Sequence, residues 1–403
     1  MSRPRVVLLR GHEANPWDLG VWDQLTDRYD VSALVTRSNK FDVSSLRLER
    51  RPTTALRDLL PKGAVGELSA EVLGDRYLHL GRALEGAAIV HSAELVSWFT
   101  LAATRAKERL RFRLVLTVWE TIPMVEAYRP NRVHSRRAAA LAATDLFITP
   151  TERSRDALLL EGVDPERIVV SPPGIDLGRF RAERPAEGVD GHLVVSPGRL
   201  VWEKGHQDVI RALALIRRGM AGPQGMPAPR LLIIGRGPEE ARLRAHADEL
   251  GVGDLVEIRA VPYPEMPGVF ARASCMVLGS IPRTFSGPGL QETPRSYWEE
   301  QFGMVLAEAM AAGVPILATA SGAIPEVTRH AVPLFPPGDW QELARLLAAG
   351  PLMRQPGERV EYDQELLESY SVQAAAARIA AAYERVLDLP IAAGGPSSFT
   401  HSS

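Results

Sequence analysis

The chain has 403 residues, of which 45% are hydrophobic and 24% charged, and its formal net charge is -2. This composition is typical of a globular protein with two domains, and the near-neutral charge gives no reason to expect nucleic acid as a partner. A single cysteine, Cys275, excludes an intramolecular disulfide and fits a reducing cytoplasm.

Arginine-rich segments bear on localisation. No apolar run approaches the roughly 20 residues needed to span a bilayer, so the sequence predicts a cytoplasmic protein. Residues 47–51, 105–113 and 132–137 are rich in arginine and could touch an anionic inner membrane face as a peripheral contact. We favour solvated helix faces, because such segments indicate a membrane contact only when they cluster on one face.

The first half of the chain alternates short apolar runs with helical patterns. Residues 5–9 predict a strand and residues 17–28 a helix, which is the opening of a doubly wound α/β domain. Further strands are predicted at residues 31–35, 88–91, 113–118, 145–149 and 168–171. Helices are predicted at residues 94–110, 133–143 and 154–161. Residues 41–82 follow neither period.

A polar segment at residues 179–191 marks a domain boundary. Beyond it, strands are predicted at residues 193–196, 231–234, 255–258, 275–278 and 314–318, with helices at 206–216, 238–250, 265–272, 303–312 and 339–349. We therefore predict a first domain at residues 1–178, a second at 179–371, a final helix at 372–388 and a disordered tail at 389–403. A Gly- and Pro-rich segment, 281–298, is interpreted as a flap over a ligand.

The most informative stretch runs from Glu299 to Pro315. Its Ala, Leu, Met and Glu content predicts a helix between Gly303 and Ala312. The first amides of a helix carry partial positive charge, so the backbone of residues 302–305 can bind an anion such as a diphosphate. The four residues concerned are Phe302, Gly303, Met304 and Val305.

Two glutamates of this stretch are candidate sugar ligands. Glu300 precedes the helix and Glu308 lies about two turns along it, so each carboxylate could accept hydrogen bonds from hydroxyl groups of one elongated ligand. The alternative is a favourable acid at a helix start and a solvated glutamate. Neither reading is excluded by the two residues alone.

A basic pair precedes this stretch in the chain. Arg199 and Lys204 follow a strand that ends near Ser196, where ligands bind in open parallel sheets. Their cations could neutralise charge on a departing diphosphate. The alternative is a solvated helix start in which Glu203 simply pairs with Lys204.

Together these motifs resemble the nucleotide-sugar site of retaining GT-B glycosyltransferases, particularly family 4. Glu300 and Glu308 resemble that family's Glu-x7-Glu motif, residues 196–205 its Gly-Arg-Leu and Glu-Lys-Gly signature, and residues 321–327 its Gly-Gly-Ile-Pro-Glu segment. The resemblance implies an α/β protein with the GT-B fold, in which two Rossmann-like domains face each other across a cleft. It also implies that the final helix crosses back onto the first domain.

The resemblance implies retaining transfer of a sugar from a UDP- or GDP-linked donor to a hydroxyl of a lipid, a glycan or a small metabolite. Arg199, Lys204 and Glu300 would be the catalytic residues, and Glu308 would bind the ribose. The remaining donor-binding residues would be Gly11, Gly235, Val261 and the backbone of Phe302, Gly303, Met304 and Val305. Neither an Asp-x-Asp motif nor paired histidines at zinc spacing occur, so we expect no metal and no cofactor.

The first domain holds weaker candidates for the acceptor or sugar side of the site. These are His12, Glu13, His91, Trp119 and Glu120. Trp119 stands where a histidine is usual in the family, so it could stack on a sugar face or simply be buried. Two other functions stay open: a GT-B sugar-nucleotide epimerase and a catalytically inactive nucleotide-sugar-binding protein.

Overall fold

The computed structural model describes residues 3–61, 63, 66, 69, 76–124, 131–181, 191–282 and 298–388. They form two α/β halves, each organised around its own parallel sheet. The prediction of two Rossmann-like halves is therefore confirmed. Residues 283–297, which make up most of the predicted flap, and the predicted tail at 389–403 lie outside the described residues.

The first sheet has seven strands in the order β3-β2-β1-β4-β5-β6-β7. Its strands are β1 (Arg5–Leu9), β2 (Asp30–Thr36), β3 (Glu49–Thr53), β4 (Ile89–Ala93), β5 (Arg113–Thr117), β6 (Leu146–Thr149) and β7 (Ile168–Val170). The central strands are continuous apolar runs because helices cover both faces of a parallel sheet. β3 was not predicted, since its sequence Glu-Arg-Arg-Pro-Thr is that of a charged edge strand with a proline.

Helices of the first half connect these strands. They are α1 (Pro16–Asp23), α2 (Leu80–Leu84), α3 (Trp98–Leu110), α4 (Asn131–Ala143) and α5 (Glu152–Leu160). α1 is shorter than the predicted 17–28, because turns follow from residue 24. α3 begins four residues later than predicted, because the Ser97 side chain accepts a hydrogen bond from the Thr100 amide and caps the helix there.

The second sheet has six strands in the order β10-β9-β8-β11-β12-β13. These are β8 (Leu193–Pro197), β9 (Arg230–Ile234), β10 (Val256–Arg259), β11 (Cys275–Leu278), β12 (Ile316–Thr319) and β13 (Leu334–Phe335). The helices are α6 (Leu177–Arg181), α7 (His206–Arg217), α8 (Glu240–Glu249), α9 (Met266–Arg272), α10 (Met304–Ala311), α11 (Ile324–Thr328), α12 (Trp340–Ala349) and α13 (Gln364–Ser369). The two-residue strand β13 and the helix α13 were not predicted, because neither is long enough to show a period.

The last helix, α14 (Val372–Asp388), packs against the first half of the chain. Ala375, Ile379 and Tyr383 lie in one apolar cluster with residues of α1 and β1. The indole nitrogen of Trp22 donates to the Tyr383 hydroxyl at 2.8 Å. The chain therefore enters the second half, completes it and returns to the first, which ties the two halves together.

Candidate active site

Lys204 and Glu300 form a shielded ion pair beyond the carboxyl ends of the central strands of the second sheet. Lys204 Nζ donates to Glu300 Oε2 at 2.7 Å, and the side chains are 14% and 7% exposed. The Ser280 hydroxyl donates to the same oxygen at 2.7 Å. Oε1 of Glu300 has no hydrogen bond to the described residues, so one carboxylate oxygen is held and the other is available to a ligand.

The local backbone explains how Lys204 reaches Glu300. Gly205 has a φ of +68°, and a Cβ there would lie 1.8 Å from the carbonyl oxygen of Gly279. Only glycine permits this approach, and it brings the turn at Lys204 against the end of β11. The Lys204 ammonium also lies 4.4 Å from the ring centre of Trp298, so an aromatic face covers the cation.

The start of α10 lies beside this pair and faces a cavity. The helix has no side-chain cap, and Gly303 precedes it with a left-handed backbone at φ 75°. Met304, its first residue, lines the cavity. Uncapped amides at a helix start attract anions, so this point can accept a phosphate group.

Glu308 is buried further along α10 and is in contact with Tyr263. Burial raises the pKa of Glu308 to about 7, and a hydrogen bond from Tyr263 together with the nearby Arg179 offsets part of that effect. Burial and the neighbouring Glu308 carboxylate raise the pKa of the Tyr263 hydroxyl. The Arg179 guanidinium lies 5.4 Å from the Tyr263 ring centre. Glu308 is therefore an acceptor with a neutral hydroxyl partner near the cleft.

A cavity of about 530 Å³ lies between the two halves. Residues within two positions of the ends of β1, β4 and β5 line it, namely Arg10, Glu94 and Trp119, together with Met304 from the second half. Ligands bind outside the carboxyl ends of parallel strands, and this cavity has that position. Much of its wall is apolar or aromatic: Trp17, Val21, Trp22, Phe41, Phe99, Ile148, Pro150 and Ile379.

The sequence matches two families, one in each half. Residues 180–359 match the family described as glycosyl transferases group 1, and residues 48–179 match Glycosyltransferase Family 4. Each match covers less than half of the chain, so each half is similar to a glycosyltransferase domain. Lys204, Glu300 and Glu308 all lie within the residues that match the group 1 family.

Curated glycosyltransferases are similar to this chain over part of its length. The chain is 29% identical to the GDP-mannose-dependent alpha-(1-6)-phosphatidylinositol monomannoside mannosyltransferase of Mycolicibacterium smegmatis, over 70% of this chain and 68% of the relative. It is 32% identical to the D-inositol 3-phosphate glycosyltransferase of Segniliparus rotundus, over 48% of this chain and 42% of the relative. The chain therefore spans about two thirds of the first relative and less than half of the second.

Solved structures show the fold. HepE of Anabaena, solved with UDP and glucose, matches 95% of this chain and all of its own with a TM-score of 0.68 and 18% identity. The lipopolysaccharide-biosynthesis glycosyltransferase WaaG matches 96% of this chain with a TM-score of 0.61 and 16% identity. The two halves of this chain are therefore arranged as a GT-B fold, as predicted.

Other residues predicted to bind the donor also belong to the second half. They have different surroundings there. Arg199 is exposed on the turn after β8, and its guanidinium has no partner among the described residues. A Cβ on Gly235 would lie 1.9 Å from the carbonyl oxygen of Gly198, so close packing explains that glycine. The Phe302 ring is buried 5.4 Å from Tyr370, and Val261 packs against the same core. Only the backbone of Phe302 is therefore left for a ligand.

Trp119 lies between the two halves, and Glu120 follows it in the chain. Trp119 lines the cavity and packs against the apolar core of the second half. Its amide donates to the Glu94 carboxylate at 3.1 Å. The Glu120 carboxylate accepts from the Thr121 and Ile122 amides at 3.0 Å each, so it stabilises its own turn.

His91 is placed away from the cavity wall. It is fully buried on β4, with Nδ1 2.7 Å from the Tyr383 hydroxyl and Nε2 2.8 Å from Oγ1 of Thr117. Burial holds the pKa of His91 well below its usual value, and the nearby Arg10 lowers it further. Both ring nitrogens are engaged, so the geometry favours a structural role for this histidine.

The loop after β1 holds three of the predicted site residues, Gly11, His12 and Glu13. Gly11 has a φ of +61°, its amide donates to the Tyr77 hydroxyl at 2.8 Å, and a Cβ there would meet the Phe99 ring at 2.8 Å. The Glu13 carboxylate lines the cavity and pairs with Lys40 at 2.8 Å. The His12 ring lies 3.8 Å from Glu13. This loop therefore brings one charged pair to the cavity.

Several site residues were missed by sequence reasoning. Ser280, Glu94, Arg179 and Trp17 have no motif that marks them. Trp17 of the first half lies 4.8 Å from the Tyr263 ring centre, and Glu94 has a left-handed backbone at φ 63°, which is rare for a residue with a side chain. Neither contact nor φ can be inferred from spacing.

Among the residues that the structure describes, no group of three or more His, Cys, Asp or Glu side chains is placed to hold a metal ion. No helix in the described part of the chain is both long and apolar enough to cross a membrane.

Proposed function

We propose that the protein transfers a sugar from a nucleotide-diphosphate sugar to a hydroxyl group of an acceptor. One observation carries this proposal: the shielded Lys204–Glu300 pair lies beside the uncapped start of α10, and Glu308 follows on the same helix. A cation and a helix dipole at one point are suited to a diphosphate leaving group. One carboxylate before the helix and one on it are suited to the hydroxyl groups at the two ends of such a ligand.

Each residue has a defined part in the proposed reaction. Lys204 and Arg199 bind the diphosphate with the amides of residues 303–305. Glu300 accepts a hydrogen bond from a hydroxyl of the donor sugar through Oε1, because Lys204 and Ser280 hold Oε2. Glu308 accepts hydrogen bonds from the ribose hydroxyls, which replace its hydrogen bond from the Tyr263 hydroxyl.

We infer retention of configuration from the resemblance to retaining enzymes. In that course, the glycosidic bond to the phosphate oxygen breaks, the acceptor oxygen bonds to the anomeric carbon on the same face, and the leaving phosphate takes the acceptor proton. Lys204, Arg199 and the helix start would stabilise the departing charge without a metal ion. NMR of the product anomer tests retention, and turnover in excess EDTA tests metal independence.

The cavity of about 530 Å³ would hold the acceptor. Its charged groups are largely paired, as in Arg10 with Asp18 at 2.9 Å and Lys40 with Glu13, while aromatic rings form much of the wall. Such a wall fits an acceptor with an apolar or ring-bearing body. A GDP- or UDP-linked donor is proposed because one relative is named GDP-mannose-dependent and HepE was solved with UDP.

A catalytically inactive nucleotide-sugar binder is the second candidate function. The observation that favours it is Trp119, whose ring occupies the interface between the halves where the family usually has histidine. An epimerase fits less well, because Glu300, before α10, and Glu308, on it, resemble the glutamate motif of the transferases. Loss of all donor turnover in Lys204→Ala, with folding intact, supports transfer. A wild type that binds nucleotides but turns over no donor supports the binder.

A thermal-shift panel of UDP, GDP, ADP and their common sugars tests the donor site first. A ligand at about 100 times its Kd adds roughly 2.7 kcal/mol to the free energy of unfolding. We expect one base to shift the wild type and to shift Glu308→Ala far less. Glu342→Ala, at a partly exposed glutamate that pairs with Arg345, is the matched control. No shift with any nucleotide would overturn the proposed function.

A further inference from the structure

The start of α5 joins the two halves at a position that no motif marks. The Arg153 guanidinium forms a two-pronged ion pair with Glu299, in which the Nη2 to Oε2 distance is 2.8 Å. Arg153 belongs to the first half and Glu299 to the second, and Glu299 is only 3% exposed. Paired donors on a planar guanidinium fix orientation as well as distance.

Glu326 makes a second contact with the same helix end. Its carboxylate accepts from the amides of Glu152 and Arg153 at 2.7 and 3.2 Å. Glu326 lies on α11 of the second half, so one domain caps a helix of the other. The first amides of α5 lack partners inside their own helix, and this carboxylate supplies one.

Both contacts lead directly to the backbone of Glu300. Glu299 is its neighbour in the chain, and the amide of Ala323, just before α11, donates to the Glu300 carbonyl at 2.8 Å. Gly322 packs so closely against Glu300 that a Cβ on it would lie 2.1 Å from the same carbonyl oxygen. The start of α5 therefore contacts both chain segments that hold Glu300.

The same helix end also holds the wall of the cavity. The Ser154 hydroxyl donates to the carbonyl oxygen of Trp119 at 3.2 Å. Residues 151–154 consequently contact Trp119 on one side and the two segments around Glu300 on the other.

We propose that Arg153 is a positioning residue that couples the closed arrangement of the two halves to the alignment of Glu300. When the halves close, the Arg153–Glu299 pair and the Glu326 cap form together and fix the Glu300 main chain. Lys204 and Ser280 then hold Oε2, and Oε1 is presented to the donor sugar. This inference rests on the proposed function for the role of Glu300, whereas the coupling itself is a property of the fold.

The first test measures the arrangement of the halves without any activity. Labels are placed through Leu59→Cys in the first half and Met220→Cys in the second, both highly exposed, while the buried Cys275 stays unlabelled. We expect Arg153→Ala to broaden the distance distribution between the labels and to shift it to longer distances. Arg155→Ala is the matched control, because Arg155 is on the same helix and, among the described residues, its ion pairs are with nearby Glu152 and Asp156. Equal distributions in both variants would overturn the proposal.

The second test separates positioning from binding. With a donor identified by the nucleotide panel, Arg153→Ala is expected to lower kcat for donor turnover at least 10-fold and to change the donor KM less than 2-fold. Arg153→Lys keeps the charge but loses the two-pronged geometry, so it should restore only part of kcat. Arg153→Ala combined with Glu299→Gln should be no slower than Arg153→Ala alone, because both remove one interaction.

Failure of the two proposals can be told apart. If no nucleotide binds the wild type, the proposed function fails, but the label distances still report on the coupling. If nucleotides bind and turn over while Arg153→Ala retains full kcat, the positioning role is wrong. Independent, multiplying losses in the Arg153 and Glu299 variants would also contradict it.

Discussion

Lys204 Nζ lies 2.7 Å from Oε2 of Glu300, although 96 positions separate the two residues in the chain. The pair joins the turn after β8 to the segment before α10. Its shielding makes each charge depend on the other, because a buried ion without its partner is costly.

Replacing Lys204 by methionine is expected to destabilise the fold by about 1–3 kcal/mol, since the Ser280 hydroxyl is then the one donor to the Glu300 carboxylate among the described residues. Adding Glu300→Gln should recover part of that loss. Urea unfolding measures both. Lys40→Met is the control: its pair with Glu13 is about half exposed, so breaking it should cost under about 1 kcal/mol. Equal costs for Lys204→Met and Lys40→Met would contradict the importance of the shielded pair.

Glu308 should make stability and nucleotide affinity depend on pH in opposite directions. Its folded pKa of about 7 exceeds the usual 4.5, so the folded state keeps a proton that the unfolded state has lost. The Glu308 contribution therefore lowers stability as pH rises from about 4.5 to 7, by up to about 3 kcal/mol. Above pH 7 the ionised carboxylate accepts hydroxyls, so nucleotide affinity should rise through that range.

Glu308→Gln tests this behaviour by comparison with the wild type. We expect the difference in unfolding free energy between the two proteins to change across pH 4.5 to 7 in favour of the variant. Nucleotide affinity in the variant should not rise through pH 7. Parallel stability profiles for the two proteins would show that Glu308 ionises normally in the folded state.

Gly322→Ala should disturb Glu300 through the main chain. Gly322 has a φ of +53°, and its added Cβ would meet the Glu300 carbonyl oxygen. We expect a loss of about 1–3 kcal/mol in thermal unfolding together with lower donor turnover. Gly338→Ala separates the two causes, because Gly338 also has a positive φ, at +83°, but has nothing within 4 Å of its added Cβ. A turnover loss of the same size in Gly338→Ala would count against the Glu300 explanation.

Tyr383→Phe tests the structural role of His91. The hydroxyl bonds both to His91 and to the Trp22 indole, so its removal leaves two buried groups unpaired. We expect a loss of about 1–3 kcal/mol in urea unfolding and an unchanged thermal shift with nucleotide. Tyr362→Phe is the control, since that partly buried hydroxyl donates to the Val314 carbonyl and contacts the Ile316 backbone, with no bond to His91 or Trp22. A lost nucleotide shift in Tyr383→Phe alone would instead connect His91 to the site.

Much of the fold could be predicted from the sequence because buried parallel strands are uninterrupted apolar runs. β1, β8 and β11 were found within a residue or two for that reason. β3 was missed because an edge strand can be charged, and its pairing with β2 gives it a stability that composition does not show.

The candidate site divides in the same way. Arg199, Lys204, Glu300 and Glu308 were selected by residue type and spacing near a strand end and a helix start, because local backbone geometry fixes those positions. The partners of these residues could not be predicted, since Ser280 and Tyr263 contact them only through the tertiary packing. His91 was a cleft candidate at a strand end, and only the return of α14 shows that Tyr383 engages it.

The sequence by itself determined the two alternating halves, the helix start that can bind an anion and the charged groups around it. These properties are local, because they depend on side-chain period and on a few consecutive backbone angles. The tertiary structure decided which Glu300 oxygen is held, why Glu308 titrates near neutrality, and that Arg153 and Glu326 join the halves around Glu300. Burial and contacts between distant segments set these features, and both depend on how the whole chain packs.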